Sequence, residues 1–198
     1  MVGAKKKSNN YLEPGINTVK MKTPRVEVMG QYNTIVFPFH KNGSDKSNDV
    51  KIFIPSRPTK WATVEQQLER ASENITEIFS LFVPFEQLEA AGQFNTLQEM
   101  LSAFNRLLPE GFDEIELELA ATFKHSKKDG KSYLNIAQGS LAKGLTGGQW
   151  IRVKDGNSPA ITWNADFEES LTRLPETPVE KVQHEAPTAN TQDNDELF

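Results

Sequence analysis

Hydrophobic residues recur at two periods along this chain, and the period changes twice. From Ile16 to Val28 apolar and polar positions alternate loosely, and Ile35, Phe37 and Phe39 follow at period two in NTIVFPFH. After a polar stretch from Lys41 to Asn48, alternation resumes at Val50-Lys51-Ile52-Phe53-Ile54, until Pro55 and Pro58 interrupt it. Period two sends alternate side chains to opposite faces of an extended strand, so Val50, Ile52 and Ile54 point one way and Lys51 and Phe53 the other. The period then lengthens. Val64, Leu68, Ala71, Ile75 and Ile78 or Phe79 recur at three-to-four spacing behind Thr63 and Gln66, a capping box at a helix start. A second helix begins at Thr96, with Glu99 three residues on, and carries Leu97, Leu101, Phe104 and Leu108 until Pro109 and Gly111 end it.

Alternation returns at Ile115, Leu117, Leu119, Ala121 and Phe123, interleaved with Glu114, Glu116 and Glu118. The polar turn from His125 to Lys131 leads into Tyr133–Ile136, which predicts a hairpin. A glycine-rich connection, GSLAKGLTGG, reaches Trp150–Lys154, and a last short strand includes Ile161 and Trp163. No internal repeat is present. The order is three strands, a helical insertion at about 63–109, a hairpin and one or two further strands. It predicts a mainly β domain over 1–174, a five-stranded Greek-key barrel of the oligonucleotide-binding type carrying a helical insertion, with an α+β sandwich as the competing architecture. Residues 175–198 hold three prolines and little that packs, which predicts a disordered linker and tail.

Charge changes the picture more than composition does. The net charge of −5 hides a segregation: residues 1–60 carry +7, 61–120 carry −10, 121–174 carry +3 and 175–198 carry −5. Two basic segments flanking an acidic one predict a polyanion-binding surface, against the plainer alternative of solvated faces of both signs. Hydrophobic residues make up 37% of the chain and cysteine is absent, so neither a disulfide framework nor a thiolate metal site is expected. The opening MVGAKKKSNN lacks the apolar run of a secretory signal, and no window is apolar enough for a membrane span, so a cytoplasmic protein without membrane contact is expected.

Catalytic chemistry finds little footing. His40, His125 and His184 are scattered, and the run from Gly139 to Gly148 lacks the order of a phosphate-cradling loop, so no catalytic residue, cofactor or metal is assigned. The Glu114-Glu116-Glu118 row reads as a solvated face. Basic residues interleaved with aromatics are the stronger signal, because single-stranded nucleic acid needs cations along its backbone and flat rings under its bases. The candidates are Lys20 and Lys22; Lys51 and Phe53; Lys127, Lys128, Lys131 and Tyr133; and Trp150, Arg152 and Lys154. Phe37, Phe39 and Phe123 are assigned to the core. At the far end, Asp193, Asp195 and Glu196 precede Leu197 and Phe198, a set suited to an apolar pocket with a basic rim.

Body and tail together resemble the single-stranded DNA-binding proteins of bacteria and tailed phages, which join an oligonucleotide-binding barrel to a flexible linker and an acidic tip ending in Phe. The tip DNDELF carries the acids and the terminal Phe, with Leu197 where the bacterial form usually has Pro. The opening YLEPGINTVKMKTPRVEV is similar to the first strand of phage versions. The resemblance implies sequence-independent binding of single-stranded DNA, and recruitment of replication and recombination proteins through the tip. The helical insertion exceeds what the bacterial barrel carries, which favours a monomer or dimer over a tetramer. An adaptor that docks partners through its acidic tail and binds no nucleic acid is the alternative.

Overall fold

A computed structural model describes residues 12–125, 131–136, 150–154 and 165–173. The N-terminal alternation forms four strands: β1 (Gly15–Met21), β2 (Arg25–Met29), β3 (Tyr32–Lys41) and β4 (Ser47–Phe53). The stretch read as one loose strand is broken at Pro24, which has no N–H to give a ladder. β1 and β2 nonetheless lie along the same edge of β3, β2 against its first half and β1 against its last residues. The Lys22 N–H donates to the Pro38 carbonyl at 2.9 Å and carries the pairing across the break.

The helical insertion contains three helices. In α1 (Val64–Phe79) the capping box forms as expected: the Thr63 hydroxyl accepts from the Gln66 N–H, and the Gln66 side chain accepts from the Thr63 N–H. In α3 (Leu97–Leu107) the Thr96 hydroxyl accepts from the Glu99 N–H, but the Glu99 carboxylate reaches back to the Asn95 N–H instead. Between them α2 (Phe85–Ala90) starts at Pro84 and is too short to show a period in the sequence. A 3-10 turn (Phe112–Glu114) leads into β5 (Leu117–His125), which pairs with β6 (Ser132–Ile136) in the expected hairpin. β7 (Ile151–Val153) lies against the start of β5, and α4 (Ala165–Thr172) follows. The expected strand at Ile161 and Trp163 lies outside the described residues.

The result is mixed α/β. Seven strands form one sheet in which every pairing is antiparallel, with order β2-β3-β1-β5-β6, β4 on the other edge of β3 and β7 beside β5. The closed five-stranded barrel expected from the sequence is corrected here. The edges that would meet, β4 and β6, share no ladder; a cavity of about 370 Å³ lined by Leu12, Asn48, Asp49, Leu134, Asn135 and Ile136 lies between them.

One face of the sheet is the core face. Val19, Met21, Ile35, Phe37, Phe39, Val50, Ile52, Leu117 and Leu119 bury there with Ala71, Ile75, Ile78 and Phe79 of α1 and Met100, Leu101 and Phe104 of α3. A chain of edge-to-face rings ties the layers: Phe37 to Phe79 at 6.0 Å, Phe79 to Phe104 at 5.3 Å, and Phe104 to Phe94 at 5.8 Å. Such pairs add roughly 0.5–1.5 kcal/mol each beyond the area they bury. No helix among the described residues is long and apolar enough to cross a membrane.

Candidate nucleic-acid interface

The face of β2, β3 and β4 away from the helices is built by strand register. Arg25, Val36 and Lys51 stand side by side across the three strands, and Glu27, Thr34 and Phe53 form the next row. The alternation that buries Val50 and Ile52 exposes Lys51 and leaves the Phe53 side chain 54% accessible, as the sequence pattern predicts. The Tyr32 ring meets Phe53 edge-to-face at 6.2 Å. Beyond β4, Pro55 and Pro58 hold the chain off the sheet in a loop that Gln67 of α1 ties down. Its Nε2 donates to the carbonyls of Arg57, Ala62 and Thr63. The Thr59 hydroxyl accepts from the N–H groups of Trp61 and Ala62, a local turn that fixes the Trp61 backbone.

Trp61 itself is 83% exposed, with Lys60 Nζ 4.9 Å from its ring centroid. Tyr32, Phe53, Pro55, Arg57, Pro58 and Gln67 contribute to a cavity of about 440 Å³, lined also by Thr59, the residue that holds the Trp61 backbone. Among the described residues no carboxylate lies within ion-pairing distance of Lys51, Arg57 or Lys60. Exposed rings and uncommitted cations are what stacking and phosphate contact require. Of this cluster, only Lys51 and Phe53 were legible in the sequence. Tyr32, Arg57, Lys60 and Trp61 sit in or beside turns, where no period reveals an orientation; the signal for three of them was a tryptophan and two cations in SRPTKW, just ahead of the helix cap.

The other basic candidates have a different environment. Lys22 pairs with Asp113 at 2.9 Å, Lys20 with Glu114 at 2.5 Å, Lys154 with Glu116 at 2.7 Å and Arg152 with Glu118 at 2.6 Å. Asn42 adds a hydrogen bond to Glu116 at 2.7 Å. The Glu114-Glu116-Glu118 row is therefore not simply a solvated face. It is one rail of a charge ladder whose other rail is the cations of β1 and β7 and their flanks. These cations reach a phosphate only by leaving a carboxylate.

The hydrogen bond from Lys22 lowers the Asp113 pKa, and those from Lys154 and then Asn42 lower that of Glu116. The Glu114 contact raises the Lys20 pKa. Groups with depressed pKa stabilise the fold above their unfolded-state values and lose that contribution as pH falls through the folded ones. Lys20 acts oppositely: its contribution is complete below the ordinary lysine pKa and is lost as pH rises through the elevated value. Thermal stability is thus expected to drop on acidification below about pH 4, and less steeply in Glu116→Gln, as followed by circular dichroism across a pH series.

Trp150 requires a correction. It precedes β7, so strand alternation does not set its direction, and its ring is 1% exposed and packed edge-to-face on Phe39 at 6.1 Å. It belongs to the core. Tyr133 is half exposed on β6, and Lys131 is exposed just before it; β6 does not pair with β4. Phe37 and Phe39 are buried as expected, whereas Phe123 is only partly covered. Lys127, Lys128 and the tail residues Asp193, Asp195, Glu196, Leu197 and Phe198 lie outside the described residues. Among the described residues no group of three or more His, Cys, Asp or Glu side chains is placed to hold a metal ion. The chain matches no protein-family model and no curated protein.

Proposed function

We propose that this protein binds single-stranded DNA without sequence specificity, through phosphate contacts and base stacking and with no catalytic step. The observation that carries the reading is that β3, β4 and the loop after β4 present three exposed rings, Tyr32, Phe53 and Trp61, and three cations that have no ion-pair partner among the described residues, Lys51, Arg57 and Lys60. Every base offers a π-face, so such a surface accepts any sequence. The strand order supports an oligonucleotide-binding type of barrel, opened between β4 and β6, with α1–α3 inserted between β4 and β5. The tip DNDELF then serves replication and recombination proteins in the cytoplasm, Phe198 acting as the anchor.

The ion-pair ladder favours the second reading, an adaptor that binds no nucleic acid, because it neutralises four of the candidate cations. Oligo-dT titrations at several salt concentrations separate the two. For the DNA-binding reading, log K is expected to fall linearly with log salt, with a slope of about −0.7 per phosphate contacted. Lys51, Arg57 and Lys60 together are expected to contribute about −2 of that slope, at about −0.7 each, so replacing all three with Ala should flatten it by that amount. No binding at low salt, or tighter binding to duplex, excludes this interface. Deleting Asp193–Phe198 is expected to leave thermal stability unchanged and to abolish capture of a replication partner, measured by pull-down from a bacterial lysate.

A further inference from the structure

The crevice between β4 and β6 holds a buried donor that the fold leaves unused. Its walls are Asn48 and Asp49 of β4, Leu134, Asn135 and Ile136 of β6, and the buried Leu12. Asn48 shares the core face of β4 with Val50 and Ile52, whereas Asp49 shares the outer face with Lys51 and Phe53. The residues of β6 divide in the same way: Leu134 and Ile136 pack against the core cluster and Asn135 is exposed. The crevice therefore passes between the two strand edges, with Asp49 and Asn135 on its outer side and Asn48, Leu134 and Ile136 on its core side. The Asn48 amide nitrogen is buried there with no hydrogen-bond partner among the described residues. A buried N–H without an acceptor destabilises the free protein, so its presence points to an acceptor that arrives from outside.

We propose that one base of a bound single strand enters this crevice edge-on and accepts a hydrogen bond from the Asn48 amide, an inference that rests on the DNA-binding reading above. The volume, about 370 Å³, lies near the lower end of ligand pockets and suits one flat group. Leu12, Leu134 and Ile136 offer apolar walls to the faces of a ring. The Asp49 carboxylate accepts from the Ser47 hydroxyl through one oxygen, and the other has no partner among the described residues. Every unpaired base presents at least one acceptor and one N–H at its edges, so the Asn48 donor and the Asp49 acceptor admit any of the four. Asp49 also decides which part of a nucleotide enters, because its carboxylate repels a phosphate and tolerates a neutral base. The backbone then stays over the outer face, where Lys51 and Phe53 stand about 7 and 13 Å from Asp49 along β4. A peptide strand is the competing occupant, but it would bond to the strand edges through its backbone and has no need of a side-chain donor.

Asn48→Leu keeps the side chain close to its size and removes the donor. In the full chain its thermal midpoint should stay at or above that of the wild type, while oligo-dT binding weakens roughly 2- to 10-fold, the size of one hydrogen bond. Ile136→Trp, which fills the crevice, should weaken binding at least as much per folded molecule. An abasic oligonucleotide of the same length should bind the wild type and both variants equally, because phosphates do not reach the crevice. Unchanged oligo-dT affinity in both variants overturns the proposal and gives the crevice to a peptide strand, while the Trp61 surface stands. Equal losses on the abasic oligonucleotide overturn it as well, since they place the backbone there instead of a base. Absence of any oligo-dT binding by the wild type removes this proposal together with the reading beneath it.

Discussion

Trp61→Ala is expected to weaken oligo-dT binding by about 1–3 kcal/mol, roughly 5- to 150-fold, while leaving the thermal unfolding midpoint almost unchanged. The separation follows from geometry. The ring is 83% exposed, so its removal uncovers no core, and its backbone is held by Thr59 rather than by the indole. Phe53→Ala should weaken binding by a similar amount with a small loss of stability, because that ring also leans on Tyr32. The double variant should lose the sum, unless a single base spans both rings. Intrinsic fluorescence offers a second readout. Stacking on Trp61 should quench emission when oligo-dT is added, and Trp61→Phe should remove that quenching while retaining part of the affinity. Unchanged affinity in Trp61→Ala would move the interface elsewhere.

Trp150→Ala is expected to cost about 3–5 kcal/mol of stability, the range for deleting a large buried ring. The indole sits in the core cluster, edge-to-face against Phe39, and is 1% exposed, so its removal leaves a large buried space. Thermal or urea unfolding measures the loss directly. DNA affinity per folded molecule should stay near that of the wild type, since the ring reaches no surface. Trp61→Ala and Trp150→Ala thus form a pair in which binding and stability respond in opposite order. A Trp150 variant that lost affinity while remaining as stable as the wild type would place this ring back in the interface.

What was legible in the sequence is what depends on neighbours one to four residues away. The period-two run at Val50–Ile54 decided that Lys51 and Phe53 face away from the core, and the structure keeps them there. The Thr63 and Gln66 pair decided where α1 begins, because both halves of the capping box lie within one helical turn. The β5–β6 hairpin was likewise marked by alternation on both sides of a polar turn. Tertiary structure decided the rest. Lys20 meets Glu114 across 94 residues, and Lys154 meets Glu116 across 38, so whether a lysine is free or committed depends on register between distant strands. Trp150 lies one residue outside β7, where alternation does not apply, and packing against Phe39 sets its direction. Trp61 is presented because Thr59 and Gln67 hold its loop through hydrogen bonds to turn backbone, which hydrophobic periodicity does not record. The open gap between β4 and β6 has the same origin: closing a sheet requires two edges to meet, and no local pattern records whether they do.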